Sequence, residues 1–448
     1  MQQIIRLTNR LDIQIPALVP KESRPGEIYF TEVRFCMNQN NKLSRRRTDP
    51  AQNGLPGTRG RTGTKPAIPT PGKKISAERN VIIRLRGGVD RPFLILVILL
   101  VCIGSIMVFS ASYASANYKF GDSLYFIRSQ LLWALIGSIG MFVVSQLDYR
   151  LFQKITVPAF FASFVLLCLV PFIGKVVNGA KRWIIIGPIS VQPTEIMKLA
   201  LVMILALYIS ANKEKMHTFR HGILFPYCII GSVCFVTAIE RHMSGTIILM
   251  LIGTLVVFIG GAPVKWLGGF TLSGVSVIGF LILVSDYAKE RVQFWLHPEN
   301  DPSDSGYQLI QSLLAIGSGG LLGVGLGNSR QKFLYLPESQ NDFIFAIVCE
   351  EFGLIGAVAV ILLFAMLVWR GVIIAMKAPD TYTSLLVLGI IGKVALQCIM
   401  NIAVVTGSMP VTGVSLPFFS YGGSSLVMLM AEMGMVLAIS RYSYQEKS

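Results

Sequence analysis

The stretch FWLHPENDPSDSGYQLIQS, Phe294 to Ser312, carries Glu299, Asp301 and Asp304 within six residues of a chain that is otherwise largely apolar. A carboxylate held beside a reacting group can take up or release its proton; a solvated acidic loop is the plain alternative. A second set of charges lies where lipid would be. Arg128, Glu195, Lys198, Glu240, Glu350, Glu351, Lys393 and Glu432 fall within or at the edges of long apolar runs. Each charge at the centre of a membrane helix costs about 2.5–3.5 kcal/mol on insertion scales, so such groups face one another or a wet cavity. Glu195 and Lys198 stand three apart, on one helical face, and can pair directly. For any single residue a structural ion pair suffices, whereas the set points to a polar cavity opening outward.

The elements that must position these groups are membrane helices. Of 448 residues, 53% are apolar and 14% charged, which places the chain among polytopic membrane proteins. A bilayer core of roughly 30 Å needs about 20 mostly apolar residues per helix. Ten runs qualify, at 92–113, 124–146, 156–174, 193–211, 222–239, 243–261, 266–285, 343–369, 383–406 and 423–440. The expected fold is therefore all-α with about ten transmembrane helices, both termini on one side, and a large loop at 286–342 between helices 7 and 8. Arg150, Lys154, Lys213, Lys215, Arg220, Arg370, Lys377 and Arg441 assign the side of the termini to the cytoplasm by the positive-inside bias. The 286–342 loop is then extracellular, as is the loop at 175–192. Both carry cations against that bias, Lys175, Lys181 and Arg182 in one and Lys289, Arg291, Arg330 and Lys332 in the other. External positive charge near the membrane suggests an anionic ligand, although long loops cross whatever their charge.

Three segments follow: a basic cytoplasmic tail at 1–90, a membrane domain at 91–441 and a short cytoplasmic tail at 442–448. The net charge of +16 belongs mainly to the first, since residues 1–91 hold 18 Lys and Arg against 7 Asp and Glu. Rich in Gly, Pro, Thr and Arg without apolar periodicity, this tail is expected to be disordered. A polybasic segment beside a first membrane helix explains it better than nucleic-acid binding. Residues 1–36 differ in character, and Met37 is an alternative start. The seven cysteines form no CxxC pair and sit mostly in apolar runs, so neither a disulfide framework nor a zinc site is indicated. GSGGLLGVGLGNS, Gly317 to Ser329, lacks the Lys-Ser/Thr and the preceding strand of a phosphate loop, and reads as a flexible or closely packed external segment. His217, His221, His242 and His297 show no metal-ligand spacing beyond one i, i+4 pair.

NGAKRWIIIGPISVQPTEIMKLAL (Asn178 to Leu201), the long run from Asp301 to Gly356 and TGVSLPFFSYGGSS (Thr412 to Ser425) closely resemble the SEDS family of bacterial FtsW, RodA and SpoVE proteins, over roughly residues 91–441. The resemblance implies a ten-helix fold in the bacterial cytoplasmic membrane and a peptidoglycan glycosyltransferase that polymerises lipid II. It implies as partners a class B penicillin-binding protein and other divisome or elongasome proteins. The family's essential aspartate, in Asp-Pro-x-x-x-Gly-Tyr-Gln, falls on Asp301, with Gln308 closing the motif; the polar-cavity residues fall on Arg128, Glu195 and Lys198. VNGAKRWI and HMSGT look nearer the division and sporulation branch. One departure is IERHMSGT, where Arg241 replaces the usual proline after Glu240.

The chemistry suits these residues. A sugar hydroxyl attacks an anomeric carbon while a lipid diphosphate leaves as an anion, so one carboxylate to take the proton and cations around the diphosphate are what the step demands. Asp301 is the expected base. Lys181, Arg182, Lys198 and Arg330 are candidates for the phosphates, with a divalent cation, Mg or Mn, as a possible helper. Glu240 and Ser420, the latter in the Pro- and Gly-rich stretch before the last helix, complete the substrate-side set. Two other readings stay open: a lipid II flippase using the same cavity, and a non-catalytic scaffold that recruits the transpeptidase.

Overall fold

A computed structural model describes residues 87–442 except 178–179, 187–188, 241, 285 and 302–304. The expectations for the tails at 1–86 and 443–448, for Met37, Cys36, Arg241 and Asp304, lie outside the described residues. Helices occupy all ten predicted spans: α1 (Arg91–Phe120), α2 (Tyr125–Gln146), α3 (Tyr149–Ile173), α4 (Pro193–Ala211), α5 (Phe225–Ile239, extended by a π turn from Arg220), α6 (Met243–Ile259), α7 (Val264–Val284), α10 (Ile344–Met376), α11 (Thr381–Val405) and α12 (Gly423–Ser440). Among the described residues, α1 to α5 and α10 to α12 are long and apolar enough to cross a membrane by length and composition. Backbone groups in lipid must be satisfied within the segment, which is what helices achieve. Large apolar side chains such as Phe142, Trp369, Leu362 and Ile355 are exposed on these helices, as lipid-facing residues are.

The helix ends are written in the sequence. Asp90 caps α1 by accepting from Phe93 N at 3.0 Å, and its carboxylate also takes two bonds from Arg370, at 2.9 Å from Nε and 2.7 Å from Nη2. Asp380 and Thr383 form a capping box at the start of α11. Small residues set the closest approaches: a methyl at Gly104 would meet the backbone of Phe418, and one at Gly137 the side chain of Met430. Six cysteines among the described residues are unbridged.

Two regions depart from a plain helical bundle. The 175–192 segment, expected as a loop, is a three-stranded antiparallel sheet, β1 (Lys175–Val177), β2 (Ala180–Ile186) and β3 (Ile189–Val191) in the order β1-β2-β3. The 286–342 loop carries α8 (Asp286–Leu296) and α9 (Ser305–Gly319). After α9 the glycine-rich run folds back onto α10, which breaks at Gly353 (φ 65, ψ −163). The freed α10 groups are re-paired across the break. Val324 N and Gly325 N donate to Glu350 O and Glu351 O at 3.0 Å each, and Leu354 N donates to Gly320 O at 2.9 Å. The run is thus closely packed, and irregular backbone within a membrane span is satisfied by protein.

A methyl at Gly353 would meet Gly323 N and Leu321 O, in a backbone region open essentially to glycine alone. Gly353→Ala is therefore expected to cost about 1–3 kcal/mol from backbone strain and more from the clash. Thermal unfolding in detergent checks this; an unchanged melting temperature would contradict the packed break.

The connections between helices meet at one end of the bundle. Ser420 Oγ donates to Asn341 O at 2.7 Å, Arg291 Nη1 to Val411 O at 2.6 Å and Trp295 Nε1 to Gly407 O at 2.7 Å. Arg441, Gln146 and Ser145 meet at the other.

Candidate functional site

Asp301 sits between α8 and α9 and is 7% exposed. Its Oδ2 accepts from Gly306 N at 3.0 Å and lies 3.4 Å from Ser305 Oγ. The carboxylate thus closes the start of α9, where free N–H groups and the helix dipole favour an anion. Gly306 makes this approach possible, because a side chain there would strike Pro298 O and the Asp301 side chain. The hairpin is docked from both arms: Trp295 and Arg291 of α8 bond the turn after α11, and Ser312 Oγ of α9 donates to Val405 O at 2.8 Å. An aspartate so fixed can accept one proton at a set place. Glu299 is solvent-facing and lies near His297, so it does not share Asp301's burial.

Four of the charges read as lying within the spans, Glu195, Lys198, Lys393 and Glu432, assemble into a largely buried cluster. Lys198 Nζ meets Glu195 Oε1 at 2.6 Å in the first turn of α4, and Lys393 of α11 pairs with Glu432 of α12. The pairs adjoin, since Lys393 and Glu432 both act on Lys198. Beside Glu195 and Lys393 runs a cavity with about 20 Å³ of room for water, walled by Gln397, Leu416, Ser420 and Ser425, the space of about one molecule. It is the polar floor of the site rather than a chamber for a sugar.

Above it stand Glu240, His242 and Arg182. Arg182 is half-buried on β2, where Arg182 and Ile184 turn inward while Lys181 and Ile185 face out, the period of two of a strand. Glu240 is 5% exposed, and neither of its oxygens has a hydrogen-bond partner among the described residues. Burial pushes this carboxyl up to about 7 against the pull of Arg182. His242 is buried, with Nδ1 at 3.3 Å from Thr194 Oγ1. Burial first, then Arg182 and Lys198, hold its imidazole down to about 3, with Glu195 opposing.

His242 is therefore neutral in the folded chain across the physiological range. Between about 3 and 6.5 the unfolded chain binds a proton that the folded chain does not, so this residue removes stability as pH falls below 6.5, by up to about 1.4 kcal/mol per pH unit. His242→Gln is expected to flatten that slope relative to the parent, in melting temperatures taken from pH 5 to 8; equal slopes would contradict a neutral buried imidazole.

Arg128 does not join the cluster: its side chain is 67% exposed and bonds Asp122 Oδ2 at 2.8 Å. It stands in the first turn of α2, at the bundle's edge, where Asp122 just ahead of the helix offers a carboxylate. Lys181 is exposed and donates to Pro171 O at 3.1 Å. Gln308 is half-buried on α9. Ser420 is buried and ties two connections together, donating to Asn341 O and accepting from Leu416 N at 2.7 Å. Arg330 is exposed, while Glu350 accepts from its backbone N at 2.8 Å.

Glu350 and Glu351 answer to the loop rather than to the cluster. Glu351 Oε1 accepts from Ser110 Oγ at 2.6 Å and Lys332 Nζ at 3.2 Å, and Glu350 also accepts from Ser329 Oγ. Among the described residues no three His, Cys, Asp or Glu side chains gather as metal ligands do. Sequence reasoning passed over Asp342 and gave Arg291 no partner; the Asn-Asp pair just ahead of α10 was the available signal.

Residues 90–445 match the cell cycle protein family of FtsW, RodA and SpoVE. The chain is 45% identical to stage V sporulation protein E of Bacillus subtilis, over 79% of this chain and 97% of that protein. It is 39% identical to a probable peptidoglycan glycosyltransferase FtsW of a Geobacter species, over 79% and 97%. Among solved structures, a chain of a peptidoglycan synthase complex that coordinates polymerization and crosslinking superposes with a TM-score of 0.67 at 28% identity, covering 80% of this chain and 99% of that one. The rod shape determining protein RodA of Thermus thermophilus superposes with a TM-score of 0.59 at 27% identity, over 80% and 98%.

Proposed function

The chain belongs to the cell cycle protein family of FtsW, RodA and SpoVE, and from that premise we propose that its reaction is carried by Asp301 on lipid II at the outer face of the membrane. It is a multi-pass membrane protein and a peptidoglycan glycosyltransferase. The observation that carries the proposal is the Asp301 carboxylate itself, buried, aimed by Gly306 N and held on a hairpin docked at both arms.

In the proposed step the acceptor sugar hydroxyl attacks the donor's anomeric carbon, the new C–O bond forms, and the bond to the lipid diphosphate breaks with its electron pair. The hydroxyl proton passes to an Asp301 oxygen. Arg182 and Glu240, with Lys181 at the rim, line the substrate side; Arg182 meets the diphosphate, since a guanidinium matches phosphate geometry. Lys198, Glu195, Lys393 and Glu432 form the charged floor that fixes α4, α11 and α12. Arg128, Gln308, Ser420 and Arg330, none of them a member of the charged floor, are kept as further candidate contacts. Mg or Mn would supply charge neutralisation at the leaving diphosphate, and among the described residues no three His, Cys, Asp or Glu side chains gather to hold it.

The basic residues gathered at the end bearing Arg370 and Arg441 support ten crossings with both termini in the cytoplasm. The partner proposed is a class B penicillin-binding protein acting with other divisome or elongasome proteins, in keeping with the synthase complex among the similar structures. Identities of 45% and 39% with SpoVE and FtsW, against 27% with RodA, favour division or sporulation over elongation.

The test separates polymerisation from transport. In liposomes holding lipid II, Asp301→Ala should abolish glycan strands while leaving any lipid translocation untouched. A variant that still polymerises, or a parent whose translocation alone depends on Asp301, would overturn the reading.

A further inference from the structure

One group of charges remains outside this account. Asp342 ends the connection before α10, and its backbone oxygen accepts from Asn401 Nδ2 at 2.7 Å; the same amide donates to Val414 O at 2.7 Å. A methyl built on Gly413 (φ +70) would lie 3.2 Å from Asp342 Oδ2, so the carboxylate rests against the turn at 411–413. Arg291 of α8 reaches that turn from the other side and donates from Nη1 to Val411 O at 2.6 Å. Arg182 of β2 acts on the same carboxylate, as does Glu338, which bonds Asn341 Nδ2. Two guanidiniums from two separate elements, α8 and β2, thus act on one carboxylate from a distance, at the end of the bundle where α8 docks through Arg291 and Trp295.

We propose that Arg291 is a second diphosphate-binding residue, set beside Arg182 by the Asp342 carboxylate on which both act, so that the two guanidiniums take the two phosphates of a prenyl diphosphate. The proposal rests on the reading of the site as one for a lipid-linked diphosphate. Two like charges kept together need a counter-charge, and Asp342 supplies one. Guanidinium forks match phosphate oxygens two at a time, which an ammonium does not. Burial first and Glu338 next push the Asp342 carboxyl up to about 6, with Arg291 and Arg182 pulling the other way. A carboxylate so poised gives up its arginines to a diphosphate readily, because it can take a proton when the ligand's charge replaces its own. Asp342 is in this account a positioning residue, and Arg291 a binding one.

The experiment measures binding of farnesyl diphosphate, with farnesyl monophosphate as control, to the full-length protein in nanodiscs by calorimetry. Arg291→Gln should weaken diphosphate binding tenfold or more and erase most of the preference over monophosphate, with Arg182→Gln doing the same. Trp295→Phe removes the other bond that docks α8 and should leave both affinities unchanged. Asp301→Asn should bind as the parent does, which keeps this result independent of the identity of the base. Arg291→Gln binding like the parent overturns the proposal. So does an equal loss in Arg291→Gln and Trp295→Phe, which would reduce Arg291 to a docking contact. A parent that binds no diphosphate overturns it too, and leaves Asp301 to be judged by polymerisation.

Discussion

Asp301→Asn lowers the rate of glycan polymerisation by about 10²–10⁴-fold, the usual contribution of a positioned general base, and leaves the melting temperature near that of the parent. The two halves of this expectation come from the same geometry. Asn offers an oxygen of the same reach, so the bond from Gly306 N at 3.0 Å survives, and Asn closes a helix start about as well as Asp. What it lacks is a basic oxygen. Asp301→Ala removes both functions and should also lose about 1 kcal/mol with the cap. Asp301→Glu keeps a base but displaces it by a methylene, and a shift of that size costs about 10²-fold. Rates on lipid II together with melting curves check the series. A melting temperature that collapses in Asp301→Asn would assign the residue to structure.

Lys393→Met destabilises the protein by about 3–5 kcal/mol, because Glu432, wholly buried, then loses its counter-charge. The double variant Lys393→Met/Glu432→Met should recover most of that loss, since an apolar pair of similar volume often matches a buried ion pair. Thermal unfolding of the three proteins in one detergent gives the coupling between the two sites. Equal stability of single and double variants would mean that Glu432 finds another partner in the cluster. A double variant that folds but fails to polymerise lipid II would show that the charged floor serves the reaction as well as the fold.

How much of this was legible in the residues varies with the physics involved. The membrane helices were, because apolar length alone decides what lies in lipid, and each predicted span begins or ends within several residues of its helix. Asp301 was singled out by the resemblance of its segment to a family motif, and the structure adds why Gly306 stands beside it: the carboxylate needs the space that a side chain would fill. Glu195 and Lys198 were readable as a pair because helical spacing is local. Lys332 with Glu351, and Lys393 with Glu432, were not, since such pairs join elements far apart along the chain. Arg128 pairs locally instead, with Asp122 six residues before it at the exposed start of its helix, a contact that an apolar span does not announce. The β-hairpin had a signal that went unused, namely Asn178-Gly179 between two β-branched runs, a strong hairpin cue. The break of α10 at Gly353 left no mark in composition, because the groups that heal it come from the glycine-rich run some thirty residues earlier.

The most direct measurement is glycan polymer formed from purified lipid II by the full-length protein and by its Asp301→Asn variant, at matched melting temperature, with a class B penicillin-binding protein and divalent metal supplied to both. Long glycan strands from the parent and none from the variant is the predicted result. Strands from both at similar rates would contradict the assignment of the base to Asp301.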